Sequence, residues 1–299
     1  MTAQNKIDLS IIIVNYNTRD LLLECLASIY RQADDLTLEC IVVDNASADD
    51  SVAAVRQEFP QTVVIDRAEN AYLAIANNQG VAAAQGRYVL ALNPDTVIYG
   101  NALSQVVQQM DADPTIGAAT TITYFTDGGV QPVCSHFVSY GYLLVNYTFL
   151  AKILRQRHQK LNKALWYEGW DRKSAREVDI LPGYFILTTK ELWEQAGGFP
   201  EDMLIYFTDD YISLRVQQLG KKNMYLMSDG LVHYEGAATR DGTTHEQKRY
   251  RPKSVRIYHS DMLVYTRRVY GRLAQLFFAL MLIPTWLVLQ WRGSRQAKS

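Results

Sequence analysis

Apolar residues follow two rhythms along this chain. Over the first 125 positions, short continuous runs alternate with stretches in which apolar residues recur every three or four positions. Leu9–Val14, Cys40–Val43, Val63–Ile65 and Tyr88–Leu92 are the runs, the pattern of strands buried on both faces. Between the first two, Leu22, Leu26, Ile29 and Tyr30 predict a helix opened by Thr18 or Asp20. Further helices are expected near 49–58, 73–85 and 98–112. Strands separated by single helices form parallel βαβ units, and such sheets take ligands beyond the carboxyl ends of their strands. Asn15-Tyr16-Asn17, Asp44-Asn45 and Asn93-Pro94-Asp95 all fall there.

Beyond residue 125 the rhythm loosens. Residues 126–178 hold many aromatics around a basic helical stretch, Lys152–Lys163. Val178–Thr188 predicts a strand interrupted by Pro182-Gly183, and Lys190–Ala196 a short helix stopped by Gly197-Gly198. Asp209–Leu219 predicts a helix that opens on two carboxylates, and Met224–Met227 a last strand.

The end of the chain differs in kind. Val255, Tyr258, Met262, Tyr265 and Val269 recur at helical spacing among arginines, which suits an amphipathic helix on an anionic leaflet or one packed on the body or a second subunit. Leu273–Trp291 then holds 19 residues without a formal charge, a helix of roughly 28 Å. Gln275, Gln290, Pro284 and the basic end at Arg292, Arg295 and Lys298 argue against a simple span. An interfacial or re-entrant segment kinked at Pro284, with Trp286 and Trp291 at headgroup depth, is expected instead.

Composition adds a contrast. With 48% apolar and 20% charged residues, a disordered or low-complexity chain is excluded. The net charge of −1 excludes a uniformly basic nucleic-acid binder, and no nucleic acid is expected as partner. Yet Arg240–Ser299 carries 12 basic against 3 acidic residues, a net of +9, which leaves −10 on residues 1–239. Cys25, Cys40 and Cys134 lack metal-ligand spacing and predict buried thiols. MTAQNKIDLS shows no basic stretch leading into an apolar one, so no cleavable signal and a reducing, cytosolic setting are expected.

Several of these residues can carry chemistry. Asp95, on a turn after a buried strand, can reach a divalent cation that bridges two phosphates; the plainer alternative is a strand-ending turn. Asp44 can accept from a base or ribose or cap a helix, and Tyr16 can stack on a base or simply pack. Asp209 or Asp210, beside the apolar run Met203–Phe207, can take a hydroxyl proton or cap its helix. His233 can bind a metal or phosphate or serve structurally. Neither G-x-G-x-x-G after the first strand nor G-x-x-x-x-G-K-[ST] occurs.

In order and spacing these landmarks resemble family 2 inverting glycosyltransferases of the GT-A fold, particularly bacterial rhamnosyltransferases of cell-surface polysaccharide synthesis. The resemblance runs from about Ile7 to His233. It rests on Ser10–Asn17, Val42–Ser47, Glu69-Asn70 with Ala76-Asn77-Asn78-Gln79-Gly80, and Leu92–Thr96. It continues through Trp170-Asp171, Arg176–Asp179, Gly183, Gly197-Gly198-Phe199, Tyr206–Asp209 and His233.

The resemblance implies an α/β fold with a Rossmann-like, mostly parallel central sheet, followed by C-terminal amphipathic and hydrophobic helices. Residues 1–239 would form the GT-A domain, with 1–125 holding the nucleotide sugar and 126–239 the acceptor; 240–299 would be the membrane-associating tail. Asn15, Tyr16, Asp44, Asn45, Asn77, Asn78, Asn93 and Gly183 would bind the donor, dTDP-rhamnose in that branch. Asp95 and His233 would hold Mg²⁺ or Mn²⁺, and Asp209, with Asp210 as rival, would be the base. The acceptor would be a glycan or lipid-linked saccharide at the cytoplasmic side of the bacterial inner membrane, reached through residues 255–292.

Three departures stand out. Tyr72 replaces a usual Gly, adding bulk and removing glycine's ease at positive φ. Tyr211 stands where a second acid is usual, and Pro182 and Tyr184 flank Gly183 in place of smaller residues. The first two departures motivate a rival, a catalytically inactive nucleotide-sugar-binding or scaffold protein. A nucleotidyltransferase is a more distant rival, because Asn15–Arg19 lacks the glycines it would need.

Overall fold

The computed structural model describes residues 7–31, 36–234, 240–241, 249–250 and 252–296; side chains of residues 240–252 and 286–296 fall outside that description. The apolar runs are strands. β1 (Leu9–Asn15), β2 (Leu38–Asp44), β3 (Val63–Asp66) and β4 (Tyr88–Leu92) alternate with helices α1 (Arg19–Tyr30), α2 (Ser51–Glu58) and α3 (Tyr72–Ala83). They pair in parallel in the order β3-β2-β1-β4, and register sets Asn15 opposite Asp44. The polar turns after β1 and β2 therefore leave the sheet at one edge. Gly80 lets α3 lie close on β1, because a Cβ there would meet Ile12 Cγ2 at 2.4 Å.

The second half of the sheet is mixed. β5 (Thr96–Ile98), α4 (Ala102–Ala112) and β6 (Ile116–Tyr124) come next, then α5 (Tyr140–Tyr147), α6 (Leu150–Ile153) and α7 (Arg155–Leu165). β7 (Arg176–Val178), β8 (Phe185–Thr189), α8 (Lys190–Ala196), α9 (Thr208–Gln218) and β9 (Lys222–His233) complete the body. The sheet runs β3-β2-β1-β4-β8-β6-β9-β5, with β7 also on β9. β8 is antiparallel to β4 and β6, while β6 and β9 are parallel. β6 is a strand that periodicity does not reveal: Ile-Gly-Ala-Ala-Thr-Thr-Ile-Thr-Tyr has few large apolar residues, yet all but Tyr124 are buried.

The short pair β10 (Arg240–Asp241) and β11 (Arg249–Tyr250) precedes α10 (Pro252–Tyr270) and α11 (Arg272–Gln296). Here the structure departs from the leaflet-bound helix. The apolar side of α10 faces the body: Met262 and Tyr265, with Phe278 and Leu282 of α11, share a cluster with Val138, Tyr142, Leu143, Met203 and Phe207. Arg267 and Arg268 pair with Asp202 at 2.8 Å each. α11 continues through Pro284, and among the described residues no helix is long and apolar enough to cross a membrane. Trp286 and Trp291 lie outside the described side chains. Leu273, Leu276, Phe277, Leu280 and Ile283 of α11 are 51–84% exposed, at spacings that place them on one stripe.

One buried carboxylate fastens α10 to the body. Asp261 is fully buried and accepts the backbone N–H groups of Leu204 (3.0 Å), Ile205 (2.9 Å) and Tyr206 (3.0 Å). Asp261→Ala orphans three donors and should cost about 2–4 kcal/mol. Urea unfolding checks this, and an unchanged midpoint would show that α10 is not fastened there.

Candidate active site

The turns at the carboxyl edge of the sheet open into a cavity of about 1030 Å³, closed on one side by the first turns of α10. Tyr16, Asn45, Asn93, Asp95, Gly183, Asp209, Asp210 and His233 all line it. Asn15, Asp44, Asn77 and Asn78 stand behind its wall, and their hydrogen bonds explain why. Asp44, 1% exposed, accepts from Asn15 Nδ2 (2.8 Å), Ser47 N–H (2.8 Å) and Ser47 Oγ (2.7 Å). Its carboxylate braces the turn through these bonds. Asn77 donates to the Leu73 carbonyl at 3.0 Å. Asn78 donates to the Phe199 carbonyl and accepts its N–H, tying α3 to the Gly197-Gly198 turn.

Asn45 does face the cavity and also shapes it. Its amide donates to the Tyr72 carbonyl (3.1 Å) and accepts from Ala71 N–H (3.2 Å). Tyr72 adopts φ +62°, so the left-handed turn usual for glycine persists despite the side chain. Such a residue carries roughly 1–2 kcal/mol of strain. Asn70 accepting Tyr72 N–H (2.8 Å), Leu204 accepting Leu73 N–H (2.9 Å) and Lys253 Nζ 5.2 Å from the Tyr72 ring centre hold it.

Deeper in, antiparallel pairing of Thr96 with His233 brings Asp95 beside the imidazole. His233 Nε2 lies 3.4 Å from Asp95 Oδ1, with both side chains at most 11% exposed. Among the described residues neither ring nitrogen of His233 has a hydrogen-bond partner. The ring stacks on Tyr184 at 4.0 Å between centres, and Tyr184 donates to Thr123 Oγ1 at 2.9 Å. A carboxylate oxygen facing an unsatisfied imidazole nitrogen fits a divalent cation. Among the described residues no third His, Cys, Asp or Glu joins them, so further ligands would be oxygens of a bound molecule or water.

Across the cavity, α9 begins after Phe207, itself left-handed at φ +62° and stacked on Tyr265 of α10. Its first turn presents two half-buried carboxylates. Burial raises Asp209 above the usual carboxylate range, opposed by backbone donors that include Gly183 N–H at 3.1 Å. Asp210 is pushed up well beyond that, first by burial and then by the Asp209 charge. Environments that separate two neighbouring carboxyls can give them different tasks: of the two, Asp210 is pushed further towards its neutral form. Gly183 allows this approach, since a Cβ there would sit 3.2 Å from Asp209 Oδ2. Tyr211, at the position of the usual second acid, turns to the tail, where its hydroxyl accepts from Arg268 at 3.5 Å.

The remaining wall is aromatic: Tyr142, Tyr147, Trp166, Tyr206 and Tyr258, with Tyr258 donating to Tyr147 at 2.6 Å. For Tyr142, Tyr147 and Trp166 the only sequence signal was the abundance of aromatics between 126 and 178, whereas Tyr206 stood in the Tyr206–Asp209 landmark and Tyr258 in the helical spacing of the tail. Lys253 and Gln131 also line the cavity and had none. Gln131 donates to the His233 carbonyl at 2.9 Å and so fixes the end of β9.

Residues 10–168 match the family description Glycosyl transferase family 2. Glycosyltransferase GlyG of Streptococcus pneumoniae is 31% identical over 115 residues, 36% of this chain and 38% of that protein, so the chain spans well under half of that relative's length. The N-acetylglucosaminyl-diphospho-decaprenol L-rhamnosyltransferase of Mycobacterium tuberculosis is 22% identical over 258 residues, 79% of this chain and 80% of its own. Among solved structures, the mannosyltransferase PcManGT from Pyrobaculum calidifontis, in complex with GDP-Man and Mn²⁺, superposes with a TM-score of 0.54 at 20% identity, covering 99% of this chain and 82% of that one. The likeness establishes a GT-A type of fold.

Asp210 has a raised folded pKa, so its stabilising contribution is complete below the ordinary aspartate value of 3.8 and is lost as pH rises through the raised value. The melting temperature of Asp210→Asn minus that of the wild type should therefore grow between about pH 4 and pH 7. A difference that is constant or shrinks over that range would show that Asp210 is not held protonated.

Proposed function

The chain belongs to glycosyl transferase family 2, and on that premise we propose that it transfers a sugar from a nucleoside-diphosphate donor to a saccharide hydroxyl with inversion at the anomeric carbon. One observation carries the proposal: the Asp95–His233 pair and the recessed Asp209 face the same cavity, whose rim is built from the turns after β1, β2 and β4. Tyr16, Asn45 and Asn93 hold the nucleotide end, while Asn15, Asp44, Asn77 and Asn78 brace the turns behind them. Asp95 and His233 hold Mg²⁺ or Mn²⁺, which when bound offsets negative charge on the departing diphosphate.

Asp209 takes the proton of the acceptor hydroxyl. The acceptor oxygen forms its bond to the anomeric carbon from the side opposite the leaving group, and the bond to the diphosphate oxygen breaks with its electrons. Partial burial makes Asp209 a stronger base than an aspartate in water, and the N–H of Gly183 keeps its reacting oxygen in place. The aromatic wall offers flat apolar faces to a saccharide. The mycobacterial relative's name supports L-rhamnose, from dTDP-rhamnose, as donor sugar and a lipid-linked saccharide as acceptor. The exposed apolar stripe of α11 supports work at a membrane surface; the setting we propose is the cytoplasmic side of the bacterial inner membrane, in cell-surface polysaccharide synthesis, in line with the lipid-linked saccharide in the mycobacterial relative's name.

Turnover of a panel of nucleoside-diphosphate sugars with lipid-linked saccharide acceptors tests the base. Asp209→Asn should lower kcat by about 10²–10⁴-fold with donor affinity retained, while Asp210→Asn keeps most of the rate. Retained transfer by Asp209→Asn together with loss in Asp210→Asn would move the base to Asp210. Donor binding without turnover by the wild type would point to a scaffold.

A further inference from the structure

The basic helical stretch found in the sequence has no part in the cavity chemistry. From Gly128 to Tyr167 the chain holds five lysines and arginines and no acidic residue, inside a body that is otherwise strongly acidic. The structure places all five on α6 and α7, with Lys152, Arg155, Arg157 and Lys160 exposed and without an ion pair among the described residues. Lys163 pairs with Glu168 at 3.2 Å. Apolar groups stand exposed among these cations: Ile153 is 67%, Trp166 49% and Phe149 37% exposed. Water alone would not select that mixture; a charged surface with an apolar layer beneath it would.

The position of these helices strengthens the point. α5 is fastened on both sides: Tyr140 donates to the Ala274 carbonyl of α11 (2.8 Å), and Tyr142 donates to Asn162 of α7 (2.7 Å). The basic α6–α7 segment and the exposed apolar stripe of α11 thus flank one small helix. Trp166, at the end of α7, also lines the cavity. Within α10, by contrast, Arg267 and Arg268 share the carboxylate of Asp202, so their charge is partly offset.

We propose that α6–α7 is an anionic-lipid-binding surface that, together with the α11 stripe, seats the aromatic end of the cavity against a membrane. The acidic remainder of the body would be repelled by the same lipid, which orients the molecule. The inference rests on the membrane side of the proposed function and is independent of the transfer chemistry.

Sedimentation of the full-length protein with vesicles tests it. Phosphatidylcholine vesicles with about 30 mol% phosphatidylglycerol should bind the wild type, and raising salt from about 0.05 to about 0.5 M should weaken that binding. The combined variant Lys152→Gln, Arg155→Gln, Arg157→Gln, Lys160→Gln should bind at least tenfold more weakly, yet transfer to a lipid-free saccharide acceptor at the wild-type rate. Leu276→Ser with Phe277→Ser and Leu280→Ser should weaken binding without removing its dependence on phosphatidylglycerol. Equal binding by the quadruple glutamine variant, equal binding to pure phosphatidylcholine, or no vesicle binding at all would each overturn the proposal. Vesicle binding that persists in a protein without turnover on any donor would leave this surface standing and sink the transfer reading instead.

Discussion

Asp261 is the point on which the tail, the start of α9 and the Tyr72 turn all depend. Its buried carboxylate gathers three successive N–H groups from residues 204–206. The carbonyl of Leu204 accepts from Leu73 and Ala74 at the start of α3, and two residues beyond Tyr206 begins the helix of Asp209. Two left-handed residues, Tyr72 and Phe207, flank this arrangement. Strain of that kind persists only where the surroundings over-determine it, and α10 supplies part of those surroundings through Lys253 and Tyr265. Helix α10 is therefore a wall of the cavity as well as an appendage to the body.

How legible each part was follows from what covers it. β1, β2 and β4 were readable because both faces are buried, so their sequences are continuous apolar runs. β6 was not, because a strand packed through Ala and Thr does not stand out from its surroundings. The spacing of Val255, Tyr258, Met262 and Tyr265 correctly marked a face, but periodicity cannot say whether lipid or protein covers it; here the body does. At the site, residue type alone could not separate Asn45, which lines the cavity, from Asn77 and Asn78, which spend their amides on backbone groups. Asp44 was similarly opaque, because its partner Ser47 takes up the carboxylate locally. Asp95, His233 and Asp209 were legible through their order along the chain, and only folding shows that they share a cavity.

Charge repays the same attention. The near-neutral total conceals an acidic body, a basic tail and a basic island within the body. Folding then redistributes these roles: Asp202 takes two arginines of the tail, the apolar side of α10 turns inward, and α11 keeps an exposed apolar stripe. Inside the cavity, burial pushes Asp210 further up than its neighbour Asp209, while Asp95 faces an imidazole whose nitrogens have no hydrogen-bond partner among the described residues. Local environment, more than residue identity, divides the labour among the carboxylates.

A donor diphosphate held through a divalent cation at Asp95 and His233 is the central claim, and calorimetric titration with nucleoside diphosphates tests it most directly. UDP, GDP and dTDP would each be titrated with and without Mn²⁺, into the wild type and Asp95→Ala. At least one diphosphate should bind the wild type much more tightly with Mn²⁺ than without, and Asp95→Ala should lose that difference. Binding that is indifferent to Mn²⁺, or a full Mn²⁺ effect retained by Asp95→Ala, would contradict it.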